Sequence, residues 1–116
     1  MVANIAREEL KAKMDRGDDF VLVEALSHEH YASSHLPGAI NLPYEFVDEA
    51  ERILPDKDAE IVVYCMNRDC SASGQEAREL EEMGYSRMLH YAEGKQDWIK
   101  AGLPVESLRA GGQARS

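Results

Sequence analysis

Ile61-Val62-Val63-Tyr64-Cys65-Met66-Asn67-Arg68-Asp69-Cys70-Ser71-Ala72-Ser73 is the stretch on which the fold turns. Its first four residues are apolar and rich in β-branching, the composition of a strand buried on both faces. Residues 65–71 read as a polar loop. Ser73 with Glu76 reads as a capping box, opening a helix marked by Ala77, Leu80 and Met83 and ended by Gly84. A buried strand thus delivers Cys65 into a short loop that runs at once into a helix. Loop N–H groups and a helix N-terminus together make a concave, positive site. A Cys65 thiolate would be the anion held there, with its pKa below that of a free thiol. The plain alternative is a small apolar side chain closing a strand.

Outward from this segment, strands and helices alternate. Asn4 reads as the cap of a helix that opens at Ile5, carries Leu10 and Met14 on one face and closes at Gly17. Phe20-Val21-Leu22-Val23 has strand length and a continuous apolar run. Residues 28–34 suggest a short helix, Leu36-Pro37-Gly38 a turn, and Ala39-Ile40-Asn41-Leu42 a strand stopped by Pro43. Phe46, Val47, Ala50, Ile53 and Leu54 follow at helical spacing up to Pro55. Arg87-Met88-Leu89-His90-Tyr91 is a further strand, and Trp98, Ile99 and Leu103 mark a last helix and a packed C-terminal segment. Such alternation predicts an α/β domain with a parallel sheet covered on both faces. Ligands of such sheets bind beyond the carboxyl ends of the strands, where Cys65 falls.

Composition narrows the function. The chain has 116 residues, 13 basic and 22 acidic, for a formal net charge of −9. That is one domain of ordinary globular make-up, large enough to fold without a disulfide or metal. An acidic chain lacks the electrostatic footprint of a nucleic-acid or anionic-membrane binder. Residues 59–116, with 7 basic and 9 acidic side chains, are nearly neutral, so an anionic substrate is repelled less there than by residues 1–58, with 6 and 13. Two cysteines make no disulfide framework of the secreted kind. With no signal-peptide core and no run approaching ~18 apolar residues, the expectation is a cytoplasmic protein that does not enter the membrane. Residues 1–108 are expected to form the domain and residues 109–116 a disordered tail.

Three stretches carry a family resemblance. They are His35-Leu36-Pro37-Gly38-Ala39-Ile40-Asn41-Leu42-Pro43; Val62-Val63-Tyr64-Cys65 with its loop and Ser71-Ala72; and Glu93-Gly94-Lys95-Gln96-Asp97-Trp98 with Ala101-Gly102-Leu103-Pro104-Val105. In this order and spacing, from about Ile5 to Leu108, the chain resembles the rhodanese-like domain family. The resemblance implies a three-layer α/β sandwich, with a central five-stranded, mostly parallel sheet and helices on both faces. It implies a sulfurtransferase that needs no cofactor. Cys65 would be the catalytic nucleophile and would carry a persulfide between a small sulfane-sulfur donor, such as thiosulfate or polysulfide, and a thiol or cyanide acceptor. Met66, Asn67, Arg68, Asp69, Cys70 and Ser71 would form the substrate-binding loop.

The chain also departs from that family's pattern. Met66 and Cys70 stand where many active members carry cations, leaving Arg68 as the one cation of the loop. This predicts weak handling of thiosulfate oxygens. Glu24-Ala25-Leu26 replaces an Asp-x-Arg pair, and Gly94-Lys95 replaces a glycine doublet. Cys70 is read either as a small neutral side chain in place of the missing Arg or as a resolving thiol for Cys65. The second case requires Cα atoms within about 7 Å, and it would make the protein a dithiol redox or polysulfide-handling protein. A resolving thiol would also guard Cys65 from over-oxidation. A third reading is a non-catalytic binding module. The C-x₄-C loop also resembles the anion loop of low-molecular-weight tyrosine phosphatases, but it lacks the closing Arg that phosphoryl transfer uses.

His28, His30 and His35 have no metal-ligand spacing, so no metal is expected. His28 and His30 are read as solvated, and His35 as a backbone hydrogen-bonder shaping the Pro37-Gly38 turn. Glu24 is read as an exposed strand-end carboxylate or as a hydrogen-bond acceptor that positions the loop or a histidine. Trp98 is read as packing against the sheet.

Overall fold

The structure, a computed structural model, describes residues 2–108. The tail expected over 109–116 lies outside the described residues. The elements run β1 (Ala3–Asn4), α1 (Arg7–Arg16), β2 (Val21–Glu24), α2 (His28–Ser33), β3 (Ile40–Asn41), a 3₁₀ helix (Tyr44–Glu49), α3 (Ala50–Ile53), β4 (Glu60–Tyr64), α4 (Ala72–Glu82), β5 (Arg87–Tyr91) and α5 (Gly94–Lys100). The five strands lie in the order β1-β5-β4-β2-β3, and each neighbouring pair is parallel. β4, the β-branched strand, is central and buried on both faces, as its composition requires.

Each face of the sheet has its own core. On one, Val23, Ala25, Ile61, Val63, Cys65 and Met88 pack under Ala77 and Leu80 of α4 and Ala50 of α3. On the other, Leu22, Val62, Tyr64 and Tyr91 pack under Leu10 of α1 and Trp98 of α5. This is the three-layer arrangement that the alternation of elements predicts.

Two expectations about helix starts are corrected. Asn4 caps nothing: it belongs to edge strand β1, in register with His90, and α1 starts after Ala6 without a side-chain cap. The helical spacing up to Leu54 resolves into a 3₁₀ helix, kinked inside at Phe46 (φ −111°, ψ 21°), followed by the one-turn α3. Gly17 does close α1, at φ 72°, a conformation that suits a residue without Cβ. Among the described residues, no helix is long and apolar enough to cross a membrane.

Candidate functional site

β4 ends at Tyr64, and the chain turns out of the sheet at Cys65. The turn is held from outside by the first turn of α5. Lys95 N–H donates to the Cys65 carbonyl (2.8 Å) and Gln96 N–H to the Met66 carbonyl (2.9 Å). This contact requires Gly94. Its φ is +79°, and a Cβ there would lie 2.7 Å from the Cys65 oxygen. Further out, the Asn67 side-chain amide donates to Gln96 Oε1 (3.0 Å), and Arg68 pairs with Glu93 (3.0 Å). Arg68, the loop's cation, is therefore exposed and already engaged by a carboxylate. An open groove beside the loop is lined by Asn67, Arg68, Asp69, Glu93, Gln96 and Lys100.

Within the loop, the Asp69 N–H donates to Asn67 Oδ1 (3.0 Å) and the Cys70 N–H to the Asn67 carbonyl (3.1 Å). Two of the expected cradle donors are thus turned onto Asn67. Cys65 and Cys70 are joined by a disulfide, with Cα atoms 6.5 Å apart. Cys65 is 1% exposed, whereas Cys70 is half-buried.

The capping box expected from Ser73 and Glu76 does not form. Ser71 is the N-cap of α4 and makes no side-chain cap bond. Ser73, Glu76, Ala77 and Leu80 instead share the buried stripe of the helix, at spacings of three and four residues. Ser73 is buried behind the cysteine. Its Oγ lies 3.4 Å from Cys65 Sγ and 2.8 Å from His90 Nε2 on β5. Burial, with Arg78 adding to it, pushes the His90 pKa down, which favours the neutral ring. Glu76 is fully buried and neither carboxylate oxygen has a hydrogen-bond partner. Burial first, and the charge of Glu79 second, push its pKa up to about 9.

Sequence reasoning missed Ser73 and His90 as neighbours of the sulfur. The available signal was periodicity. Ser73 falls on the Ala77–Leu80 stripe of α4, and His90 alternates with Met88 on the face of β5 turned toward that helix.

Glu24 is not exposed, and it accepts from neither the cysteine loop nor a histidine. It is fully buried on the other face of the sheet, where it accepts from Tyr64 Oη (2.7 Å) and Lys95 Nζ (2.9 Å). Two departures from the family's pattern, Glu24 and Lys95, therefore meet as one ion pair. His28 and His30 are exposed, as expected. His35 is buried, and its Nδ1 lies 2.8 Å from the Tyr31 carbonyl. It fastens the end of α2, while the Gly38 N–H of the turn donates to Glu106 instead. Trp98 is fully buried, and its Nε1 donates to the Pro104 carbonyl (2.7 Å). Among the described residues, no group of His, Cys, Asp and Glu gathers as a metal site.

Comparison with known proteins gives this geometry a family. The model of the rhodanese-like domain matches residues 6–101. An HTH-type transcriptional regulator of Mycobacterium tuberculosis is 34% identical over 103 residues, covering 88% of this chain and 44% of that protein. The thiosulfate:glutathione sulfurtransferase of Saccharomyces cerevisiae is 28% identical over 112 residues, covering 82% of this chain and 76% of that protein. The chain spans about half the length of several curated relatives that it matches. A crystal structure of a Bacillus halodurans protein superposes with a TM-score of 0.84 at 22% identity, covering 91% of this chain and 77% of that one, which is a likeness of fold.

Proposed function

The chain belongs to the rhodanese-like domain family, and from that membership we propose that it is a sulfurtransferase working through a Cys65 persulfide. The observation that carries the proposal is the position of Cys65. It leaves the carboxyl end of the central parallel strand and enters a loop whose carbonyls are tied to α5. A ligand meets an open α/β sheet at that end. In the first step the Cys65 thiolate attacks the outer sulfur of the donor. With thiosulfate, Cys65 becomes the persulfide anion and sulfite leaves with the electron pair of the broken S–S bond. In the second step an acceptor thiolate attacks the outer sulfur, becomes a persulfide itself, and returns Cys65 as thiolate. Electrons balance at each step without a cofactor.

Arg68 bears on the choice of donor. Its guanidinium is paired with Glu93, so the oxygens of thiosulfate find no uncommitted loop cation. The reading favours donors without oxyanion oxygens to hold, such as polysulfides and thiol persulfides, and a small-molecule or protein thiol as acceptor.

The Cys65–Cys70 disulfide favours a second, compatible reading, in which Cys70 is the resolving thiol. A Cys65 persulfide and the Cys70 thiol would form the bridge and release hydrogen sulfide, in a balanced exchange of S–S bonds. The test is turnover with polysulfide or thiosulfate as donor and glutathione or cyanide as acceptor. Cys65→Ser is expected to lower the rate about a hundredfold or more, as loss of a nucleophile does. An unchanged rate overturns the proposal.

A further inference from the structure

We propose that Ser73 and His90 are a positioning pair that holds Cys65 as the leaving thiolate, so that an incoming thiol opens the Cys65–Cys70 bridge at Cys70. The inference rests on the reading of Cys65 as the reactive sulfur. A serine hydroxyl has one hydrogen to give. We assign that of Ser73 to Cys65 Sγ, 3.4 Å away. Its oxygen can then only accept from His90 Nε2 at 2.8 Å, which sets His90 as the Nε2–H tautomer. The chain of donors runs from imidazole to hydroxyl to sulfur and is in place before any charge appears on that sulfur.

The surroundings hold this arrangement. The His90 ring lies against α4, where a Cβ built at Gly74 would be 3.5 Å from Cε1. From the same helix Arg78 faces the ring, and its positive charge opposes an imidazolium. β4 pairs Val63 with His90 and β1 pairs Asn4 with it, so neither neighbouring strand places a charged residue in register with it. A neutral His90 acts as a donor to Ser73 and not as a proton store.

The consequence is directional. The two sulfurs differ in access, since Cys65 is 1% exposed and Cys70 is half-buried. They also differ in stabilisation, since the Ser73 hydroxyl points at Cys65 alone. In thiol–disulfide exchange the sulfur better stabilised as thiolate departs. A reducing thiolate therefore attacks Cys70 Sγ, forming a mixed disulfide there. The electron pair of the broken bond leaves on Cys65 Sγ, which receives the Ser73 hydrogen bond. A second thiolate then frees Cys70 as thiolate and departs as the symmetric disulfide. Cys65 is released in the form that attacks a sulfur donor.

The test measures the Cys65 thiolate directly, in a Cys70→Ser background. Alkylation by iodoacetamide is followed as a function of pH for this protein, for Ser73→Ala and for His90→Phe and His90→Gln. Below the thiolate pKa, alkylation is expected to slow roughly tenfold in Ser73→Ala, the size of one charge-assisted hydrogen bond. It should slow several-fold in His90→Phe and recover in His90→Gln, whose amide restores a donor to Ser73. With glutathione as the probe thiol, the transient adduct on the wild-type chain should map to Cys70. An unchanged alkylation profile in both Ser73→Ala and His90→Phe overturns the proposal, as does an adduct on Cys65. If Ser73→Ala fails to fold, the His90 pair decides alone. Sulfur uptake is read on the same samples. Uptake with unshifted profiles refutes the pair and spares the function, while shifted profiles without uptake do the reverse.

Discussion

Tyr64 and Cys65 are chain neighbours that end in opposite chemical settings. Strand alternation sends their side chains to opposite faces of the sheet. On the Tyr64 face the polar groups close on one another. Tyr64 accepts from the Leu36 N–H and donates to Glu24, Glu24 pairs with Lys95, and Lys95 also donates to the carbonyls of His30 and Ser34. On the Cys65 face Ser73 and His90 gather behind a sulfur and Glu76 has no hydrogen-bond partner, while the Tyr85 hydroxyl donates to the Leu54 carbonyl. The difference teaches where rigidity resides. A satisfied buried network fixes α2, α5 and β4 to one another, and α5 in turn fixes the loop by its backbone. Under the proposed function, the Cys65 face is then free to carry groups whose interactions change during sulfur transfer.

The largest effect expected from this contrast is at Lys95. Replacement by Met leaves Glu24 as a buried, unpaired carboxylate, so unfolding free energy should fall by about 3–5 kcal/mol in chemical denaturation. Replacing Glu24 by Leu at the same time should recover much of the loss. A Lys95→Met loss below about 1 kcal/mol would break the contrast. Gly94→Ala comes next. Its Cβ meets the Cys65 and Met66 backbone at a positive φ, so a loss of about 2–3 kcal/mol is expected, together with slower sulfur transfer because the Cys65 turn must shift. Normal turnover in this variant would separate α5 from the site.

Glu76 sharpens the comparison through pH. Its pKa lies near 4.5 unfolded and at about 9 folded, so the folded state holds its proton where the unfolded state does not. Its contribution to stability is complete below pH 4.5 and is lost as pH rises toward 9. Glu76→Gln should therefore stabilise the protein by about 1–3 kcal/mol at pH 8 and by little at pH 4. Equal curves at both values would show that Glu76 is ionised and partnered. The smallest effect is at Arg68. It and Glu93 form an exposed pair two residues from the buried one. Arg68→Ala should change stability by no more than about 0.5 kcal/mol, in denaturant melts, and turnover with polysulfide by less than about twofold.

The sequence made the central sheet legible because β4 and its neighbours are continuous apolar runs, and a parallel sheet covered on both faces demands them. The position of Cys65 followed from the same run. The fifth strand was not legible from periodicity. Ala3–Asn4 is too short to alternate, and only its pairing with Leu89 and His90 makes it a strand. The Ser73–Glu76 spacing satisfied a local rule for helix starts, but tertiary burial overrode it, because the same spacing also fits one stripe of a helix. The meeting of Glu24 and Lys95, 71 residues apart, is a product of topology, since each looked like an isolated departure along the chain.

In the proposed function sulfur rides on Cys65, and in its second reading Cys70 removes it. The most direct measurement is the intact mass of reduced Cys70→Ser and Cys65→Ser proteins after brief exposure to polysulfide. Cys70→Ser should hold an added sulfur that persists until a thiol is supplied, and Cys65→Ser should hold none. Sulfur retained equally by both, or only by Cys65→Ser, would contradict the account.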